Sequence, residues 1–437
     1  MKSGILIYFA MLFCSATNLQ ARQDSIWTLE ECISYALERN IQVRKGGIAI
    51  ERYLSYSDQA KSQRFPSVNA SVTQNYNWVK GTGGSGLSGA GGSNISANSS
   101  VTIFNASRLN NQIKQAALDI EAGQYSLETI KESVSLSILN AYLQVLYAGE
   151  QVRNTERQIE STQSQLELAA ERLAIRLISQ ADYAQVKSQL ANERLNLANA
   201  RSQLAIAKVN LEQLMELPVT DGFTIVDPKL DESVNQNRTP DVAEVYQVAL
   251  GIKPQVKNAE VNKKIAALDE DIAKAGYYPS LSASAGIGTS YSGRMSDPYF
   301  EQINNGISPS LGLSLSVPVY QRKQVKTSVA VAKLGYQDAE LSELNTRNEL
   351  RKSIEQACLD VTSAQVDYEA SLENYNATSE SSALSDEKFR QGIINSVDYL
   401  VSKTNLILAE SNLLQSKYNL IFSYKVLDFY SGIPLTL

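Results

Sequence analysis

The sequence predicts an α+β protein of two internal repeats, each joining a β-hairpin to a very long helical hairpin. Three observations support this: the second half repeats the motif order of the first, four short runs alternate apolar and polar residues, and long stretches lack proline. The chain has 10 prolines in 437 residues, and none lies within residues 67–217 or 319–433. Because proline breaks helices, such stretches, rich in Ala, Leu, Gln and Glu, predict long helices rather than a compact α/β enzyme.

The overall composition excludes several classes of function. Lys and Arg number 40 against 46 Asp and Glu, a net charge of −6, so the basic surplus typical of nucleic-acid binding is missing. The absence of histidine removes His-based catalytic triads, imidazole metal sites and His proton relays. The sequence also lacks a Gly-rich phosphate loop and a Cys/His cluster. We therefore expect no enzyme activity, no cofactor and no nucleic-acid partner.

The first residues have the form of a secretory signal peptide. Lys2 precedes an apolar run over residues 4–13, which is too short to span a bilayer as a helix. We expect cleavage after Ala21, with Ala16 as the alternative, so that residues 1–21 form the signal peptide. Cys14 lies where exported proteins are often lipidated, but the large residue before it argues against lipidation.

The rest of the chain offers no transmembrane helix. No later segment reaches 18 uncharged apolar residues, so an exported protein of this sequence must take any membrane role from β-strands. Cys32 and Cys358 are expected to be unpaired helix residues, since the chain has no cysteine framework.

The duplication is the most informative feature of the sequence. Phe65-Pro66-Ser67-Val68 matches Tyr278-Pro279-Ser280-Leu281, and Asp182-Tyr183 matches Asp398-Tyr399 at nearly the same spacing. Only two copies occur, so the protein is not a solenoid. The predicted organisation is a first repeat over residues 22–217, a linker over residues 218–239 and a second repeat over residues 240–437.

Each repeat is expected to open with two short helices and continue with two strands. Thr28 and Glu31 have the spacing of a capping box, and Thr239-Pro240 is expected to supply an N-cap and an N1 proline. Four alternating runs then predict two β-hairpins with one apolar and one polar face each. The runs are Val68–Trp78 (interrupted by Gln74), Ile95–Ile103, Leu281–Tyr291 and Leu311–Val317, with connecting loops over Gly81–Asn94 and Ser292–Ser308.

A helical hairpin is predicted after each pair of strands. The first arms cover Arg108–Arg176 and Gln324–Gln391, each on the order of 100 Å long at the rise of an α-helix. The second arms carry an apolar residue at every seventh position, which predicts coiled-coil packing against a neighbouring helix. These residues are Tyr183, Leu190, Leu197, Leu204 and Leu211, and Tyr399, Leu406, Leu413, Leu420 and Leu427.

The strands have the residue pattern of a transmembrane β-sheet. A soluble β-sandwich would also alternate, but these polar faces hold Ser, Thr, Asn and Gly with hardly a charge, and aromatic residues gather near the strand ends. Four strands cannot close a membrane barrel, and an open sheet in lipid leaves unpaired backbone groups that cost several kcal/mol each. Subunits must therefore complete the barrel together; physics alone allows a dimer or a larger assembly.

On these features the sequence resembles the TolC-type outer-membrane efflux protein family over essentially the whole mature chain. The motifs that carry the resemblance are the two strand openings already quoted, the strand exit Val317-Pro318-Val319-Tyr320, and the hairpin tip Lys388–Tyr399 with its counterpart Arg172–Tyr183. The resemblance implies a homotrimer whose twelve strands form one barrel in the outer membrane, in contact with its lipid and continued by a long periplasmic α-helical coiled-coil barrel.

The resemblance also implies a function. It is that of a passive exit duct for small molecules or peptides in a tripartite efflux or type I secretion system, supplied by a periplasmic adaptor and an inner-membrane transporter. The alternative is a periplasmic coiled-coil structural or adaptor protein without a pore. That alternative predicts no strands, whereas the sequence has four alternating runs.

The hairpin tips are the implied functional site. Asp182 and Asp398 would line the periplasmic aperture, where about six carboxylates in a trimer favour cations and repel one another as the tube closes. Both aspartates also follow expected N-caps, so helix capping is an equal and compatible role. The implied adaptor-docking residues are Leu173, Arg176, Ser179, Phe389, Gly392 and Asn395, with packing within the tip as the alternative for Leu173 and Phe389. Arg176 stands where the family has glycine, so that tip is expected to turn differently or to contact its partner less typically.

Overall fold

The computed structural model describes residues 26–80, 87–218, 223–228 and 241–437. The predicted signal peptide and most of the predicted linker lie outside these residues. The elements in chain order are β1 (Ile26–Trp27), α1 (Leu29–Arg39), α2 (Ile41–Ser62), β2 (Ser67–Lys80), β3 (Leu87–Phe104), α3 (Arg108–Ala174), α4 (Gln180–Leu214), β4 (Thr224–Ile225), α5 (Val242–Ile252), α6 (Pro254–Lys274), β5 (Ser280–Ser292), α7 (Tyr299–Asn305), β6 (Ser308–Ser316), α8 (Gln324–Arg390) and α9 (Ser396–Tyr430).

Four strands form one antiparallel sheet in the order β2-β3-β5-β6. Its register brings the apolar residues of all four strands to the same face: Val72 pairs with Ile95, Ala97 with Ile287, and Ala283 with Leu313. The opposite face carries the polar set, for example Asn69, Asn98, Gly286 and Ser310 in one row. The apolar face is open in the single chain, with Val72 75% and Leu313 73% exposed.

The first hairpin loop is shorter than the sequence predicts. The loop was expected over Gly81–Asn94, but β3 already begins at Leu87 and pairs with β2 through its glycine-rich start. Aromatic side chains of β2 lie where a side chain of Gly89 would stand, since a Cβ there would meet the Tyr76 ring at 2.7 Å and the Trp78 ring at 2.9 Å. Glycine at this position therefore lets large cross-strand rings pack on the backbone, which offsets its low strand propensity.

The long helices are confirmed. Helix α3 and helix α8 have 67 residues each, which gives a length of about 100 Å, and both end within two residues of the predicted position. They pair with α4 and α9 to form two helical hairpins. The predicted heptad positions of α4 and α9 are all buried or half-buried, which confirms the helix–helix seam. Among the described helices none is both long and apolar enough to cross a membrane.

The main core lies midway along α3 and α8, where the ends of α4 and α9 meet α1, α5 and the start of α6. Cys32, Ile138, Leu211 and Ile354 are among its buried residues. The Tyr142 hydroxyl, also buried here, lies within hydrogen-bonding distance of the carbonyl oxygens of Trp27 (3.2 Å) and Val226 (2.8 Å), where β1 pairs with β4. This contact joins the start of the first repeat to the segment between the repeats. Cys32 and Cys358 are buried and unpaired, as expected.

One helix start is as predicted and one differs. Thr28 and Glu31 form the expected capping box at α1, with Thr28 Oγ1 3.2 Å from the Glu31 N–H and Glu31 Oε2 3.1 Å from the Thr28 N–H. The prediction of Thr239 as N-cap is wrong, because α5 begins at Val242 and its N-cap is Asp241. The Asp241 carboxylate accepts the Ala243 N–H at 2.8 Å, so it satisfies a free backbone donor in the first turn of the helix. Thr239 and Pro240 themselves lie outside the described residues.

Candidate functional site: the tips of the helical hairpins

Both hairpin tips turn through the same backbone motif. In the first, the N–H of Leu177 bonds the carbonyl of Arg172 at 2.8 Å, and in the second the N–H of Ile393 bonds the carbonyl of Lys388 at 2.9 Å. Each of these bonds encloses a second one that spans fewer residues, from residue 176 to residue 173 and from residue 392 to residue 389. Together they define a Schellman motif, which requires a left-handed residue directly after the C-cap.

Arg176 occupies that left-handed position in the first tip, and Gly392 occupies it in the second. Their φ angles are 59° and 75°. The expectation that the first tip turns differently is therefore wrong: the surrounding hydrogen bonds hold arginine in a conformation that glycine adopts freely. Arg176 and Gly392 are both exposed.

The two aspartates both lie in N-terminal helix turns, as the capping alternative predicts. Ser179 Oγ accepts the Asp182 N–H at 3.1 Å, and Asp182 Oδ2 accepts both the N–H and the hydroxyl of Ser179, at 3.1 Å and 2.6 Å. In the second tip Asn395 Oδ1 accepts the Asp398 N–H at 2.9 Å. Asp398 is exposed and Asp182 is half-buried. Capping leaves their negative charges at the end of the molecule, so the aperture role stays a prediction.

Phe389 packs inside the second tip rather than on its surface. It is 9% exposed, and its ring stacks on the buried Tyr399 ring with centroids 4.5 Å apart. Leu173, its counterpart, is half-buried. The packing alternative is thus the one that these contacts favour for Phe389. The apolar side chains that the tips do expose are Ile175, Leu177, Ile393 and Val397.

Arg172 joins the two tips, and sequence reasoning did not single it out. Its guanidinium donates to the carbonyls of Phe389 at 3.1 Å and Arg390 at 2.6 Å, and lies 5.8 Å from the centre of the Phe389 ring. Both carbonyls are among the last four of α8, which helix bonding leaves free; the Phe389 carbonyl also accepts the Gly392 N–H of the turn at 3.1 Å. A cation at a helix C-terminus is also favoured by the helix dipole. The only local signal was an arginine in the last turn of α3.

The tips lie at the end of a groove between the hairpins. The groove, of about 640 Å³, is lined by side chains of α3, α8 and α9, including Ser164, Arg172, Asp386 and Lys403. Arg390 forms an ion pair with Asp386 at 3.0 Å at its tip end. A second groove, of about 330 Å³, lies between α4 and α9 and is lined by residues such as Gln185 and Val401. The two starting turns of the second arms are therefore neighbours at this end of the molecule.

A buried carboxyl group lies inside the first hairpin, away from the tips. Glu193 of α4 is 1% exposed, and its Oε1 accepts hydrogen bonds from Thr162 of α3 and Gln189, each at 3.0 Å. Its Oε2 has no hydrogen-bond partner among the described residues. Burial raises the pKa of the Glu193 carboxyl above its ordinary value, while the two hydrogen bonds and the charge of Lys403 act in the opposite direction. Among the described residues no cluster of acids and cysteines fits a metal ion.

A four-stranded sheet with one apolar face, extended by two helical hairpins whose first arms are about 100 Å long, defines the class of outer-membrane channel proteins with a long periplasmic helical part. The family model for outer membrane efflux proteins matches residues 32–216 and 245–432, one stretch in each repeat, and the chain belongs to this family. It is therefore a transport protein of the outer membrane that extends into the periplasm. A comparison with curated protein sequences finds no match.

Solved structures of outer-membrane channels share the fold. CusC, whose crystal structures concern folding and transmembrane channel formation, is 16% identical, with a TM-score of 0.79 and 93% of each chain covered. The Campylobacter jejuni CmeC outer membrane channel is 16% identical with a TM-score of 0.76, covering 92% of this chain and 85% of the other. The open state of the Neisseria gonorrhoeae MtrE outer membrane channel is 18% identical with a TM-score of 0.74, covering 93% and 88%.

Proposed function

We propose that three copies of this chain form a passive exit duct that a periplasmic adaptor and an inner-membrane transporter supply from the other end. The proposal rests on the exposed apolar face and the open edges of the four-stranded sheet. All four strands present their apolar residues on one exposed face, and β2 and β6 each have a strand neighbour on one side only among the described residues. Lipid can cover the face, but the two edges need strands from other copies.

The tips are the part of the duct that we assign to the adaptor. Arg176, Ser179, Gly392 and Asn395 are exposed around the turns, next to the exposed apolar side chains Ile175, Leu177, Ile393 and Val397. An apolar surface with a polar rim is typical of protein interfaces. Leu173 and Phe389 act in this proposal as the packed support beneath that surface.

The proposed aperture role of Asp182 and Asp398 can be tested by single-channel recording. Replacing Asp182 and Asp398 by Ala removes two negative charges per chain from the proposed aperture, so single channels in planar bilayers should show lower cation selectivity or higher conductance. Asp182→Asn and Asp398→Asn remove the charge while keeping a side chain of nearly the same shape in the first helix turn, and they should have the same effect. Unchanged selectivity and conductance in all four variants would show that the two acids only cap their helices.

A further inference from the structure

The loop between β5 and β6 carries a folded element that the efflux function does not explain. Helix α7 is held by Gln302, whose side chain is buried at 8% exposure. Its Oε1 accepts the N–H of Ser292 at 2.9 Å, and its Nε2 donates to the carbonyls of Ser292 at 3.3 Å and Asp297 at 2.7 Å. Because β6 pairs with β5 only as far as Gly288, these bonds replace a strand partner at the end of β5.

Helix α7 lies on the apolar side of the sheet. Thr289 and Tyr291 continue the alternating set of Ile287 on β5, and side chains of that set share one face. The Thr289 hydroxyl donates to the carbonyl of Ile303 at 2.6 Å, and the Tyr291 and Tyr299 rings lie 4.8 Å apart. Both contacts place the helix over the face that we assign to lipid.

The outer surface of this loop is apolar and aromatic. Phe300 is 83% exposed and its ring lies 5.4 Å from that of Tyr299, while Met295 in the preceding turn is 64% exposed. Tyr76 and Trp78 project from the same face of β2 near the same end of the sheet, since Gln74 pairs with Ser93 and Ser93 pairs with Tyr291. Aromatic side chains at the ends of membrane strands favour the boundary between headgroups and acyl chains.

We infer that α7 is a lipid-binding element that inserts Phe300 and Met295 at the interface of the outer leaflet. The inference rests on the proposed function, because it takes the apolar face of the sheet as the lipid face. Continuity with that face favours lipid as the occupant: α7 lies on the face that we assign to lipid, not on the polar face that would line the duct.

The test uses fluorescence of an NBD label on Phe300→Cys, with Met295→Cys as a second position, in the full-length protein reconstituted in liposomes. Leu313→Cys and Ser310→Cys are the matched controls, because they lie on the apolar and polar faces of β6. The natural Cys32 and Cys358 are buried, and a mock-labelled parent protein corrects for them. Quenchers are lipids with a nitroxide at the headgroup or deep in the acyl chain, and iodide in the water.

We expect labels at 300 and 295 to be quenched several-fold more by the headgroup nitroxide than by the deep one, and less by iodide than the label at 310. Strong iodide quenching at 300 and 295, with Leu313 still quenched by lipid, would overturn the inference and leave the duct intact. Protection from both quenchers would overturn it in favour of a contact with a neighbouring subunit. Identical environments at 313 and 310 would overturn the proposed function as well.

Discussion

At the scale of single residues, the two repeats differ in how they end their helices. The second repeat places Gly392 and Gly432 in the left-handed conformation after α8 and α9, with φ of 75° and 77°. The first repeat places Arg176 and Glu216 at the matching positions, with φ of 59° and 56°. A side chain costs about 1 kcal/mol or more in this conformation because its Cβ approaches the following carbonyl oxygen. At these two helix ends the first repeat therefore holds backbone strain that the second repeat avoids.

We expect Arg176→Gly to raise the free energy of unfolding by about 1 kcal/mol, because glycine relieves this strain. Thermal unfolding followed by circular dichroism measures the change. Arg176→Ala keeps the strain and should leave stability nearly unchanged. Gly392→Ala should be destabilising by a similar amount; its new Cβ would meet no atom within 4 Å, so only the backbone conformation changes. Equal stability of the glycine and alanine variants at residue 176 would show that the left-handed backbone conformation there is not strained.

Glu193 predicts a dependence of stability on pH. Since burial raises the pKa of this carboxyl in the folded state, its contribution favours folding at low pH and is lost as pH rises through the folded-state pKa. We expect Glu193→Gln to raise the unfolding temperature at about pH 7.5 and to lose that advantage toward about pH 4. Glu160→Gln, an exposed change on α3, is the control. If the Glu193→Gln variant unfolds at a higher temperature than the parent protein by the same amount at every pH, ionisation of Glu193 does not affect stability.

At the scale of elements, the sequence predicted which helices and strands exist better than it predicted where they begin and end. Alternation and the lack of proline predicted both long hairpins and all four strands of the sheet, because these patterns reflect burial and backbone chemistry directly. The start of β3 was missed, since the contact between Gly89 and two aromatic rings depends on the register. Helix α7 was missed because its stability comes from the bonds of the Gln302 side chain to backbone groups of the preceding loop, which no periodic pattern indicates.

The site was also predicted only in part, because some of its contacts join residues that are distant in the sequence. The caps Ser179 and Asn395 and the left-handed turn at Gly392 are local and could be read from the sequence. The role of Arg172 could not, because its partners lie in the other repeat and are brought to it only by the packing of the hairpins.

We expect Arg172→Ala to loosen the contact between the tips. The variant leaves the carbonyls of Phe389 and Arg390 without the donor from α3, so amide hydrogen exchange over residues 388–394 should speed up. Arg176→Ala, at an exposed position of the same tip, should leave that exchange unchanged. Single-channel conductance of the Arg172 variant should rise if this contact also narrows the aperture. Unchanged exchange in the Arg172 variant would show that the contact does not hold the tips together.

At the scale of the whole molecule, the single chain is incomplete. The main core is buried within one chain, but most of the apolar face of the sheet stays exposed, and the outer strands β2 and β6 each have one strand neighbour among the described residues. Unpaired backbone groups at a strand edge cost several kcal/mol each in lipid, and the part of the chain that the structure describes provides no strand to pair with either edge. An assembly of copies around a common axis removes both edges at once.

The assembly gives a direct biochemical expectation. Purified protein should need detergent to stay in solution, and chemical cross-linking should produce two- and three-chain species and stop there. Cross-linking of protein denatured before the reagent is added is the control, and should give single chains. A monomer that is soluble without detergent would exclude the duct.

The central claim is that lipid covers one face of the sheet and water the other. Spin labels on Val72→Cys and Ser71→Cys test it most directly, because these neighbours on β2 point to opposite faces at the same height. In reconstituted liposomes the label at 72 should collide mainly with oxygen, which concentrates in lipid, and the label at 71 mainly with a water-soluble nickel chelate. The same environment at both positions, or the reverse assignment, would contradict the duct.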